Sequence, residues 1–146
     1  MSWTDISDPG VKYFSGTATY TKTVQSTGAW FHSGQHIYLD LGKVRDIAEV
    51  LVNGTSVGVV WAPPYRLDIT GALKPGTNKL EIKVTNQWTN RQIGDRLLPP
   101  DKRILAPPNS RAAGQGNAGG GAFGRPQILA ESGLLGEVRL IAELPR

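Results

Sequence analysis

The stretch "WTNRQIGD", Trp88 to Asp95, gathers an indole, an amide, a guanidinium and a carboxylate in eight consecutive residues. A second cluster, "WAPPYR", adds Trp61, Tyr65 and Arg66. These side-chain types suit carbohydrate: flat aromatic faces cover the C–H side of a pyranose, while amides, guanidinium groups and carboxylates at fixed spacing hydrogen-bond its hydroxyls. The candidate sugar contacts are Trp61, Tyr65, Arg66, Trp88, Asn90, Arg91 and Asp95, with Asn86 beside them. The same residues also have an architectural reading. Trp61 and Trp88 would cap a core, Asn86 would satisfy backbone groups at a strand end, and Arg91 would pair with Asp95 to tie down the chain beyond the strand. Trp88 directly follows a strand and suits the cap better, whereas Trp61 sits in a Pro-rich corner and suits a ligand better.

Other chemistries find less support. A glycosidase needs two carboxylates facing each other across a cleft. Asp40, Glu49, Glu81, Glu137 and Glu143 fall where alternation points them to solvent, and only Asp68 and Asp95 lie near aromatic clusters. A self-contained hydrolase is not expected. His32 and His36 have the i, i+4 spacing of a helical metal pair, but Ser33-Gly34 between them specifies a turn, so no metal site and no cofactor are predicted. There is no "GxSxG" elbow or Walker loop, and "GNAGGGAFG" lacks the Lys and following helix of a phosphate cradle. The chain has no Cys, which removes disulfides and a thiolate nucleophile. Its net charge of +4 comes from Lys and Arg scattered singly, without the basic run or stripe of a nucleic-acid binder. No apolar run approaches a membrane span, and "MSWTDISDPG" lacks the layout of a signal peptide. Met1 directly before "SWTD" reads as a cut from a longer protein, so an export signal could lie outside this sequence.

The elements that must position these residues are strands. Ile37, Leu39 and Leu41 alternate with polar residues, as do Ala48, Val50 and Val52, then Tyr65, Leu67 and Ile69, and finally Val138, Leu140, Ala142 and Leu144. "GTATYTKTV" is rich in residues that fit a pleated surface. Asn53-Gly54 predicts a tight hairpin, since both central positions of a type I′ turn need positive φ. A single helical turn is expected at Ala72 to Lys74, before a Pro75-Gly76 corner. No stretch keeps a helical period for three turns. The sum predicts one all-β domain over residues 1–146, an antiparallel sandwich or jelly roll of about eight strands. A long Gly/Pro-rich loop at about 99–126 interrupts it, with Arg111 to Gly124 expected to be mobile.

On specific motifs the chain resembles a known group. These are the "VNG" hairpin followed by "VG", the "WAPPYRLDIT" corner, the "PGTNKLEIKVTN" strand, the "WTNRQIGD" tail, and "SGLLGEVRL" near the end. They look like the C-terminal jelly-roll domain of the large α-L-rhamnosidases of glycoside hydrolase family 106. More loosely, they are similar to the sugar-binding domain of the β-galactosidase and β-glucuronidase family. The resemblance implies a galactose-binding-like sandwich, an architecture that sometimes holds a structural calcium, in an enzyme whose catalytic carboxylates lie on a separate barrel. It therefore implies a non-catalytic carbohydrate-binding or accessory module, with a glycan or polysaccharide and the parent's catalytic domain as partners, in an extracellular or periplasmic protein. The alternative is a fragment that packs against that barrel and lends it residues.

Overall fold

The computed structural model describes residues 1–105 and 128–144, which gather into two compact units. Residues 1–2, 16–86 and 132–144 form the first; residues 3–15 and the described part of 87–131 form the second. The expected mobile arm, Arg111 to Gly124, lies outside the described residues, as does most of the predicted loop at 99–126.

The first unit is an antiparallel β-sandwich. One sheet runs β1 (Thr17–Ser26), β7 (Gly76–Thr85), β4 (Ile47–Val52) and β5 (Thr55–Val60) in that spatial order. Its register sets inward side chains in rows across the strands: Ala18, Val84 and Ala48, then Tyr20, Ile82 and Val50, then Lys22, Leu80 and Val52. The opposing sheet places β2 (His36–Asp40) between β6 (Arg66–Asp68) and β9 (Arg139–Glu143), with Leu67, Leu39 and Leu140 in one row. A short pair, β3 (Val44–Arg45) with β8 (Gly133–Leu134), completes the unit. Leu39, Leu41, Val44, Val50, Val52, Ile69 and Val84 are buried, so the period-two alternation put the core where it is found. The last strand departs from expectation, because Val138 and Leu144 stay exposed. β9 is an outermost strand, and nothing described pairs with its outer side.

Turn chemistry explains how the strands connect. Asn53 and Gly54 both have positive φ, 53° and 84°, as the hairpin requires. Asn78, fully buried, donates through Nδ2 to Ser26 Oγ and to the Lys74 and Gly76 carbonyls, and accepts from Lys74 N–H and Asn53 Nδ2. One amide thus ties the 53–54 hairpin to the Pro75-Gly76 corner. The helical turn spans Thr70–Ala72, two residues before its expected start, because Asp68 Oδ1 accepts from Thr70 N–H and Oγ1–H and turns the chain early. In "SGLLG", Gly136 is required by contact: a Cβ there would stand 2.2 Å from Lys43 N. Lys43 O accepts the N–H groups of both Leu135 and Gly136.

The second unit opens with a 3-10 turn at Trp3–Asp5, followed by one helical turn, α1 (Pro9–Lys12), whose start is set by Asp8 Oδ1 accepting Gly10 N–H at 2.7 Å. Trp3 and Phe14 meet edge to face, 5.5 Å between centroids. The chain beyond the strand, where no three-turn helical period was expected, is a helix, α2 (Thr89–Leu97). It lacks the usual apolar stripe because its two buried residues, Asn90 and Asp95, are polar, and Leu97 faces solvent.

Candidate functional site

Asn90 and Asp95 were candidates for sugar contact, but they are 2% and 1% exposed and spend their polar atoms on backbone. Asn90 Nδ2 donates to Ala130 O at 2.7 Å, and Ala130 N–H donates to Asn90 Oδ1 at 2.9 Å. Asp95 Oδ1 accepts Ile104 N–H at 2.8 Å, and its Oδ2 accepts Leu105 N–H at 3.1 Å. The pair of polar residues on α2 therefore grips the chain just before residue 106 and just after residue 127. The Ile104 hydrogen bond is the main reason the Asp95 carboxyl lies below its ordinary value of 3.8. Burial opposes the shift, while Leu105 N–H and the charges of Arg91 and Arg103 add to it. The expected Arg91–Asp95 ion pair does not form as a direct contact; Arg91 acts on the carboxylate only through its charge. Arg91 makes no hydrogen bond or ion pair among the described residues.

Trp88 also departs from its expected cap role, since it is 63% exposed. It occupies the N-cap position of α2, where its carbonyl accepts Gln92 N–H at 3.0 Å and its ring stands clear of the helix. Trp88 and Arg91 line a recess of about 290 Å³ with Phe14, Ser15, Gly10 and Leu105. The recess combines an indole, a phenyl ring, a hydroxyl and a guanidinium that has no hydrogen bond or ion pair among the described residues. Phe14 and Ser15 lie more than seventy residues before Trp88 in the sequence, and no spacing pattern linked them to it. Asn86 keeps its architectural role, with Oδ1 accepting Gly16 N–H at 3.0 Å and Nδ2 donating to Ser132 Oγ at 3.2 Å.

The remaining candidates belong to the first unit. Trp61, 72% exposed, stands on the Pro-rich corner as expected. Tyr65 is half-buried, and Arg66 is committed: it lies 3.6 Å over the Tyr38 ring and pairs with Glu143 at 2.6 Å. His36 Nδ1 meets Asp68 Oδ2 at 2.6 Å, both at the surface. Burial alone would raise the Asp68 pKa, but hydrogen bonds from Thr70 and His36 outweigh it and hold the carboxyl below 3.8. Among the described residues no three His, Asp or Glu side chains gather for a metal, so they offer no carboxylate cluster for calcium. No described helix is long and apolar enough to cross a membrane.

The model for the glycosyl hydrolase 2 galactose-binding domain-like family matches residues 8–110. The chain belongs to this family. As a galactose-binding-like domain it is similar to a rhamnosidase from Novosphingobium sp. PP1Y, at 45% identity and TM-score 0.76, covering 97% of this chain and 12% of that one. It also resembles a β-D-glucuronidase of Dictyoglomus thermophilum, at 26% identity and TM-score 0.50 over 56% of this chain and 14% of that one. A Formosa agariphila protein named "Putative beta-glucuronidase" is 53% identical over 100 residues, 68% of this chain and 9% of that protein. The chain thus spans about a tenth of the length of its first relatives.

Proposed function

We propose that the chain is the accessory module of a rhamnosidase of glycoside hydrolase family 106, non-catalytic by itself, and that the Trp88–Arg91 recess contacts carbohydrate. The observation that carries this reading is an exposed indole beside a guanidinium with no partner among the described residues, in one concave surface. Stacking on Trp88 would orient a pyranose and leave its hydroxyls, or a carboxylate on a neighbouring sugar, toward Arg91. The "NRQIGD" tail and the 45% identity to a rhamnosidase support the parent enzyme's class. In this reading, which follows the resemblance to the large hydrolases, catalysis belongs to a separate barrel of an extracellular or periplasmic enzyme.

A glycan array on the isolated chain tests the reading. Binding that Arg91→Ala removes is expected, together with no turnover of an aryl rhamnoside. Turnover abolished by a single Asp or Glu substitution would overturn the non-catalytic assignment. A second reading rests on the exposure of Leu97, Ile104 and Ile128 in the second unit, apolar side chains of the kind a neighbouring domain covers. In that reading the module packs against the catalytic barrel and lends it residues, and an empty array would favour it.

A further inference from the structure

Asn53-Gly54 is the one asparagine–glycine pair in the sequence; every other asparagine precedes a residue that carries a side chain. Such a pair has a chemistry of its own in water. The backbone nitrogen of the glycine, with no Cβ beside it, attacks the asparagine Cγ and forms a new C–N bond, while the side-chain nitrogen leaves as ammonia. Water then opens the cyclic imide at either carbonyl and gives aspartate or isoaspartate. No redox partner is involved. Asn53 and Gly54 are both exposed at the tip of the β4–β5 hairpin. Among the described residues nothing lies within 4 Å of the Cβ position of Gly54, so crowding does not protect the pair.

Hydrogen bonds protect it instead. Asn53 Oδ1 accepts Lys79 N–H at 3.0 Å, and Nδ2 donates to Asn78 Oδ1 at 2.8 Å and to Ala72 O at 3.2 Å. The backbone is held as well, with Asn53 N–H donating to Lys79 O at 2.8 Å. Attack at Cγ turns a planar amide into a tetrahedral carbon and moves both Oδ1 and Nδ2 off these partners. The bonds therefore have to open first, and an exposed hairpin end can open while the sandwich core stays closed. The product does not fit where the amide fitted. An aspartate sets an acceptor oxygen against Asn78 Oδ1 and Ala72 O, themselves acceptors. Asn78 is not free to flip in compensation, because its Nδ2 already donates to Ser26 Oγ and to the Lys74 and Gly76 carbonyls. An isoaspartate also lengthens the main chain inside a tight turn whose length fixes the register of both strands.

We infer that Asn53 is a self-modification site gated by local opening of this hairpin: Lys79, Asn78 and Ala72 lock the folded amide, and deamidation of the opened turn cuts the tie to the Pro75-Gly76 corner. The chemistry at this hairpin is independent of the Trp88 recess. The whole chain is incubated in mildly alkaline buffer, and aspartate and isoaspartate at position 53 are quantified by peptide mass spectrometry with electron-transfer fragmentation. Chain unfolded in urea should deamidate at least about tenfold faster than folded chain. Asn78→Ala, shown to be folded by its amide spectrum, should raise the folded-state rate by about fivefold, the equivalent of one lost hydrogen bond. Leu41→Ala weakens the core but leaves the lock in place, and at a temperature where it stays folded it should deamidate at the wild-type rate. Equal rates for folded and unfolded wild type, or an Asn78→Ala rate no faster than wild type, would overturn the lock. Acceleration in Leu41→Ala to match Asn78→Ala would overturn the local gate. The wild-type comparison decides the lock even if Asn78→Ala does not fold. Asn53→Asp, which imitates one product, should lower the urea midpoint, and an unchanged midpoint would overturn the claim that the modification cuts the tie.

Discussion

In the sandwich unit the most buried side chains are aliphatic, with Asn78 the polar exception, and its candidate ligand groups Tyr65 and Arg66 are partly buried or already paired. In the helical unit polar groups share the interior. Asn90 and Asp95 are buried, as is Trp3, while Trp88, Leu97, Ile104 and Ile128 face solvent. A unit that buries polar clamps and exposes apolar groups is arranged to hold a chain segment in place and present surface to something else. The recess and the backbone grip thus share α2 and its N-cap, with Trp88 and Arg91 lining the recess and Asn90 and Asp95 bonded to backbone.

The largest break in this contrast should come from the sandwich core. Leu41→Ala removes a fully buried side chain and should cost about 2–5 kcal/mol in urea denaturation, depending on how far the cavity relaxes. A cost below about 1 kcal/mol would mean that the first unit does not depend on its aliphatic core.

A smaller loss is expected at Gly94 in α2. Alanine favours a helix over glycine by about 1 kcal/mol, but a Cβ at this position would stand 2.5 Å from Tyr13 Cγ. Overpacking should win, leaving Gly94→Ala about 1–3 kcal/mol less stable. A stabilised variant would show that the ring moves aside freely.

The clamp at Asp95 can be sharpened by pH. Its folded pKa is depressed, so its contribution is complete above the ordinary value of 3.8 and disappears as pH falls through the lower folded value. Wild type should therefore exceed Asp95→Asn in thermal stability by a margin that is constant above about pH 5 and shrinks toward about pH 2. A margin that does not change across that range would remove the carboxylate charge from the account.

Much of the sandwich was legible in the sequence, because one face of each central strand is buried and period-two alternation reports that directly. The Asn53-Gly54 turn was legible because positive φ at both positions leaves few residue choices. The helix at 89–97 was not, since the periodicity that reveals a helix is apolar and its buried positions are Asn90 and Asp95. For the same reason their roles were misread: polar residues beside an aromatic look alike whether they serve a ligand or a distant backbone. The identity of their partners, Ala130 and Ile104-Leu105, depends on where the chain returns. Trp88 was expected to be covered because it follows a strand, but the helix begins at that residue and directs the ring outward. The recess itself depended on Phe14 and Ser15, which no local pattern connects to Trp88.

The central claim is that Trp88 and Arg91 recognise while Asn90 and Asp95 hold. Trp88→Ala, measured by glycan titration beside a denaturant melt, tests it most directly. The account predicts that binding to an array-identified glycan is lost while stability changes by no more than about 0.5 kcal/mol, as for an exposed side chain. Unchanged glycan affinity, or a stability loss of about 3–5 kcal/mol typical of a core aromatic, would contradict it.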